Sequence, residues 1–280
     1  MCIGDCMTLA SPLDWFFYIV TQLGSELFYI VFLTFVYWVV DKDLGRRLLI
    51  VLLPSIWLNS FLKDTFKMPR PPPEQQLVPE TGYGFPSGHA QGSTVLWGFL
   101  STQVRKNWFY IVSIILIALI SFSRIYLAVH YVHDVVGGLI IGVVYLVLFI
   151  KLEPYIKPVF QRFTLPQRLV AEGLIPLLFL AIPYLLFADP STSGYVAPLG
   201  ALSGALIGIE FEANHIGFVA NEGTVIKRIA RFIIGLPILF VILFALSMLG
   251  SYFLVAYVKY FILGLFVSFF GPLLFKTLKL

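Results

Sequence analysis

Charge is what this chain has least of: only 12% of its 280 residues are Asp, Glu, Lys or Arg, while 59% are hydrophobic. A soluble domain averages about 25% charged residues. The 14 Tyr, 27 Phe and 5 Trp would form large exposed apolar patches in water, so the composition calls for a lipid phase. Cysteine is also scarce. Cys2 and Cys6 sit together at the N-terminus with no His or further Cys at metal-ligand spacing, which excludes a disulfide framework and leaves them without a role. No Lys or Arg occurs between Met1 and Ala10, so a cleaved signal peptide lacks its basic start and the first helix is expected to be retained. The net charge of +4 is small, and the basic residues lie at the ends of apolar segments, which excludes a nucleic-acid partner and reports membrane orientation instead.

What is present is a series of apolar stretches long enough to cross a core of about 30 Å. They fall near 15–40, 48–66, 87–104, 108–126 and 131–150, then near 169–187, 196–212, 229–249 and 252–274. The expected fold is therefore all-α, a polytopic transmembrane helical bundle of about nine spans, with the termini on opposite sides. Pro154, Pro158 and Pro166 among scattered charges mark a hinge over 151–168. This divides the chain into a membrane core over 1–150 and a C-terminal transmembrane bundle of unassigned role over 169–280. Gly200, Gly204 and Gly208, four residues apart, predict close helix packing there. Glu210, Glu212 and His215 read as an interfacial loop or a second polar site.

Orientation follows from the connections. Arg46, Arg47, Arg105, Lys106, Lys151, Lys157, Arg162, Arg168, Lys227, Arg228, Arg231, Lys276 and Lys279 fall on one common side, expected to be cytoplasmic. On the opposite side the basic residues are Lys63, Lys67, Arg70 and Arg124, and cations that break the rule suggest a binding site. Glu26, toward the same end of the first span, is expected to pair with one of them.

Three segments gather chemistry on that side: Lys63 with Arg70-Pro71, then Pro86-Ser87-Gly88-His89, then Ser123-Arg124 with His130 and Asp134. They match, without a gap or a substitution, the signatures KxxxxxxRP, PSGH and SRxxxxxHxxxD, and so the chain resembles the type 2 phosphatidic acid phosphatase superfamily. Leu23 to Tyr29, Trp38, Asp41, Arg46-Arg47 and Lys63-Asp64 also resemble the sphingosine-1-phosphate phosphatase branch. Gly88 departs from it, since those enzymes usually carry Thr there, and a polyprenyl or glycerolipid substrate stays open. The resemblance by motif ends near residue 140.

The residues support the same reading physically. A phosphate monoester carries close to two negative charges at neutral pH, and Arg70, Arg124 and Lys63 offer two bidentate forks and one compact charge for it. Ser87 and Gly88 open a helix, whose first N–H groups favour an anion. His130 and Asp134, four apart, share a helix face, so the carboxylate orients the imidazole as a nucleophile. His89 is the candidate acid for the departing alkoxide. His133 falls on another face, toward solvent or headgroups. The resemblance implies these same roles, with phosphohistidine as the intermediate. Three fixed cations supply the charge a divalent ion would, so neither metal nor cofactor is expected. The partner is a lipid phosphate drawn from the bilayer. Lipid phosphotransfer through the same intermediate is the alternative, and a non-catalytic lipid transporter is a remote third.

Overall fold

The computed structural model describes residues 9–188, 192–250 and 252–280; Cys2 and Cys6 lie outside them. Its elements are α1 (Pro12–Gln22), α2 (Glu26–Phe35, continued by a π turn over Val36–Val40), α3 (Lys42–Phe66), α4 (Gly88–Val104), α5 (Asn107–Tyr126), α6 (Val132–Gln161), α7 (Leu165–Leu186), α8 (Thr192–His215), α9 (Val225–Ser247), α10 (Phe253–Leu265, continued by a π turn over Phe266–Phe270) and α11 (Gly271–Thr277). The protein is a multi-pass integral membrane protein, all-helical among the described residues.

Each of the nine expected stretches is helical, but the count of nine spans does not hold. Among the described residues, seven helices are long and apolar enough to cross a membrane, or eight if α1 and α2, bent by 53° at their junction, form one span. The shortfall lies at α4, which has 17 residues and opens on Gly88, His89, Gln91, Gly92 and Ser93, too polar and short to qualify. The opposite placement of the termini, which rested on an odd number, loses its support.

The described residues divide into two compact units that are not consecutive in the chain: residues 1–29 with 58–151, and residues 30–57 with 152–280. The stretch 151–168 holds no flexible linker over most of its length, because α6 runs unbroken through Pro154 and Pro158 to Gln161.

In the first unit, a capping box made by Ser11 and Asp14 starts α1, and the same Asp14 accepts a 2.7 Å hydrogen bond from the Tyr126 hydroxyl at the end of α5. The long loop between α3 and α4 is pinned on the turn after α5: Leu77 donates its N–H to the Leu127 carbonyl at 3.1 Å, and Val78 packs with Phe17, Leu127 and Val129. Helices α4 and α6 approach closely through glycine. A Cβ on Gly138 would lie 2.5 Å from the Ser87 carbonyl oxygen, and one on Gly142 would lie 3.0 Å from that of Gln91. Small residues permit such approaches, which stand in for a hydrophobic driving force inside lipid.

In the second unit, Gly200, Gly204 and Gly208 of α8 carry the packing the sequence implies. A methyl group on any of them would strike Tyr257, Phe261 or Ser268 on the α10 segment and its π turn. Trp38, fully buried, donates its indole N–H to the Val267 carbonyl at 2.7 Å and lies against Gly235 and Gly271. Glu210 and Glu212 are buried rather than interfacial, paired with Arg168 at 3.2 Å and Lys42 at 2.8 Å. His215 is exposed, its ring 2.9 Å from the Phe211 carbonyl.

The α4–α6 approach gives the first prediction. Gly138→Val should destabilise the protein by about 1–3 kcal/mol through overpacking, read as a lower thermal midpoint in detergent. Gly173→Ala, whose added Cβ would meet nothing nearer than 3.8 Å, should be neutral or slightly stabilising.

Candidate active site

Every residue of the three signature segments lies in the first unit. Lys63 is on the last turn of α3, Arg70 in the following loop, Ser87 to His89 at the entry of α4, Arg124 on the last turn of α5, and His130 and Asp134 around the start of α6. Helix ends supply most of the site because intramembrane polar groups are tolerated there at the least cost.

The histidine geometry fixes a tautomer. His130 Nδ1 lies 3.3 Å from Asp134 Oδ2, and its Nε2 lies 3.0 Å from Arg70 Nη1. A guanidinium has only hydrogens to offer, so Nε2 accepts and the ring proton resides on Nδ1, directed at the carboxylate. That leaves the Nε2 lone pair facing the cations. Asp134 is fully buried, also accepts the Tyr131 N–H at 2.9 Å, and donates nothing. Burial, acting first, and the neighbouring charges of Arg70, Arg124 and Lys63 outweigh Asp134 and hold the imidazole down at about 4. His130 is thus neutral at physiological pH, the form a nucleophile requires. His133 is mostly exposed, stacks on Tyr131 and brings Nε2 within 3.1 Å of Asp134 Oδ1, without hydrogen-bonding geometry.

Backbone oxygens hold two of the cations, and side-chain oxygens hold Arg124. Lys63 Nζ donates to the Tyr83 carbonyl at 2.7 Å. Arg70 donates Nε to the carbonyls of Thr81 and Gly82 at 3.0 and 3.2 Å, and Nη1 to that of Val129 at 2.9 Å. Burial lowers the Arg70 pKa, with Glu80 and Asp134 acting against the shift. Arg124, 2% exposed, donates Nη1 to the Thr21 hydroxyl at 2.8 Å, while its buried Nε has no hydrogen-bond partner.

Ser87 differs from the expectation for it. Fully buried, it caps α4, its hydroxyl accepting from the Ala90 N–H at 3.5 Å, and its own N–H is taken by the Asp134 carbonyl at 2.9 Å. The serine therefore ties the α4 entry to α6, and the first-turn amides of Gly88 and His89 are the donors left for an anion. His89 packs its ring against Gly24, where an added Cβ would come within 3.0 Å of its Cδ2. It is electrostatically coupled to Arg124, His130, Lys63 and Arg70.

Two features correct or extend the sequence reading. Glu26 pairs with no cation among the described residues; it is exposed in the first turn of α2, where the helix dipole favours a carboxylate. The carboxylate that meets the cations is Glu80, a loop residue outside every signature segment. Glu80 Oε1 lies 2.6 Å from Arg124 Nη2, and Oε2 lies 3.6 Å from Arg70 Nη2. Burial works to raise its pKa, but Arg124 and Arg70 prevail and keep it below the usual carboxylate value. Asn59, outside the signature segments, also reaches the α4 entry. One turn before Lys63 on α3, it donates to Gln91 Oε1 at 2.8 Å and to the Pro86 carbonyl at 3.3 Å; a polar side chain inside an apolar span is the signal that could have found it.

Two family models match the chain: the PAP2 superfamily over residues 44–158, and the transmembrane extension of PAP2 superfamily phosphatases over 196–280. The chain belongs to the PAP2 superfamily. Among curated relatives of this PAP2 protein, sphingosine-1-phosphate phosphatase 2 of Mus musculus is 31% identical over 221 residues, covering 72% of this chain and 59% of that protein. Phosphatidylglycerophosphatase B of Bacillus subtilis is 29% identical over 127 residues, covering 42% of this chain and 62% of that one. The chain thus spans little more than half the length of the curated relatives it matches. The crystal structure of the transmembrane PAP2 type phosphatidylglycerolphosphate phosphatase from Bacillus subtilis aligns with a TM-score of 0.46 at 28% identity, covering 56% of this chain and 83% of that one.

The buried histidine gives a direct test on this PAP2 protein. Histidine-selective ¹⁵N NMR should show His130 Nε2 unprotonated at pH 6 and titrating near pH 4. Asp134→Asn removes the hydrogen-bonded carboxylate that favours the imidazolium, so the midpoint should move lower still. A wild-type midpoint near 6.5 would contradict the placement of the ring among cations.

Proposed function

We propose that this protein is a lipid-phosphate phosphatase that hydrolyses a phosphate monoester or diphosphate through a phosphohistidine. One observation carries the reading: a neutral His130 with Nδ1–H on Asp134 and its Nε2 lone pair turned toward Arg70, beside the unpartnered Nε of Arg124. The matched relatives named as lipid-phosphate phosphatases agree with it.

In the first step His130 Nε2 attacks phosphorus and the P–O bond to the lipid breaks. Arg70, Arg124 and Lys63 take up the charge on the phosphoryl oxygens, with the Gly88 and His89 amides as further donors. Asp134 stabilises the imidazolium formed as Nε2 becomes bonded to phosphorus. The negative charge of the bound phosphate offsets the cations and lets His89 carry the proton that it gives to the leaving alkoxide, which departs as an alcohol. Neutral His89 then accepts a proton from water, whose oxygen attacks phosphorus. The P–N bond breaks, and inorganic phosphate and the original His130 are regenerated. The charge is compensated by fixed side chains, so activity should survive chelation. Since the apolar helices keep the lipid tail in the bilayer, only the headgroup needs to reach the site.

Substrates that differ in leaving group test the division of labour. In single-turnover phosphoenzyme formation, His89→Ala should lose most of the about 100- to 10,000-fold that general acid catalysis provides on an alkyl phosphate, and distinctly less on a nitrophenyl phosphate, whose phenolate leaves unprotonated. His130→Ala should abolish labelling with both. Equal losses for His89→Ala on both substrates would remove it from the acid role.

The basic connections support a site on the non-cytoplasmic face and a cytoplasmic C-terminus. A Gln75→Cys variant should react with an impermeant thiol reagent added outside sealed cells or vesicles, and labelling only after permeabilisation would reverse the orientation.

A further inference from the structure

Glu80 lies outside all three signature segments, yet its carboxylate is the anion that joins the two arginines of the site. Each oxygen faces a different guanidinium, Oε1 toward Arg124 at 2.6 Å and Oε2 toward Arg70 at 3.6 Å. This is a place where two oxygens of a phosphoryl group would sit. The carboxylate does not drift there. Its own N–H donates to Gln76 Oε1 at 2.9 Å, and Gln76 Nε2 donates to the Pro71 carbonyl at 2.8 Å, next to Arg70. Immediately after it in the chain, the Thr81 and Gly82 carbonyls take Arg70 Nε, and the Tyr83 carbonyl takes Lys63. One loop thus presents a carboxylate and three carbonyls to the cations that a phosphate needs. Meanwhile Arg124 Nε is buried and unsatisfied, a donor that the planar two-oxygen carboxylate leaves unused.

We propose that Glu80 is a resident stand-in for phosphate: it occupies the arginine pair between turnovers, must be displaced for a phosphoryl group to bind, and by returning expels inorganic phosphate. This rests on the phosphatase reading above. Its consequence is selective in practice. A lipid substrate reaches the site at high concentration within the bilayer and is retained by its tail, so it can displace the carboxylate. Orthophosphate has no tail and competes with Glu80 on headgroup contacts alone. The side chain is 31% exposed, which gives the displaced carboxylate access to water. A carboxylate and a phosphate carrying close to two negative charges cannot share the pair, so binding and displacement are coupled by charge repulsion.

The alternative is that Glu80 merely scaffolds the arginines, and the two roles predict opposite signs. The probe is orthophosphate, with its affinity for the purified full-length protein measured by titration calorimetry, which requires no turnover. If Glu80 is the competitor, Glu80→Gln should bind orthophosphate about tenfold or more tightly than the parent, the scale of a charge-assisted contact, and show a matching fall in the inhibition constant for product. If Glu80 is a scaffold, affinity should fall. An unchanged or weaker affinity overturns the proposal. Hydrogen exchange on the unmutated protein is the second measurement: saturating orthophosphate should speed exchange at the Glu80 amide, whose tether to Gln76 loosens as the side chain leaves, whereas slower or unchanged exchange counts against it. Hydrolysis of lipid phosphates is assayed separately. Absence of any turnover would refute the phosphatase reading while leaving the orthophosphate result to judge Glu80.

Discussion

Three cations forced together at the edge of a membrane domain are the constraint around which the first unit is organised. Lys63, Arg70 and Arg124 arrive from α3, a loop and α5, and they repel one another. Arg124 is almost fully buried, where an uncompensated charge is most costly. The fold answers with oxygen. The carbonyls of Tyr83, Thr81, Gly82 and Val129, the hydroxyl of Thr21, and the carboxylates of Glu80 and Asp134 surround the cations. The α3–α4 loop is long because it must supply most of those oxygens, and its anchoring through Leu77 and Val78 follows from that duty.

The same crowd of charge sets the chemistry. A histidine beside three cations is reluctant to take a proton, and His130 therefore keeps its lone pair at pH values where an ordinary imidazole begins to lose it. Asp134 opposes that shift and fixes the proton on Nδ1. Together the two influences leave a neutral ring whose Nε2 lone pair is turned toward Arg70.

The second unit solves a different problem with different means. Its helices α8 and α10 meet through the Gly200, Gly204 and Gly208 stripe, and its buried carboxylates Glu210 and Glu212 are paired with Arg168 and Lys42. Trp38 depends on the space left by Gly235 and Gly271. Residues 30–57 are part of this unit, so the chain leaves it, builds most of the first unit, and comes back.

The sequence by itself determined the membrane class, the helical spans apart from their number, the family, and the three signature segments that lie together in the first unit. Apolar length and basic connections are set by composition, and the signature residues are specified at fixed spacings that local structure preserves. Tertiary structure alone decided what meets the arginines. Glu26, close to the motifs in the expected topology, turned to solvent, while Glu80, an unremarkable loop residue ten positions after Arg70, closed on both guanidinium groups. Tertiary structure also spent the Ser87 amide on Asp134 and set residues 30–57 with the C-terminal helices. These outcomes depend on how a 21-residue loop between α3 and α4 folds back and on which helix faces meet. Neither has a periodicity that a linear sequence records, because both are settled by charge pairing and close packing between residues far apart in the chain.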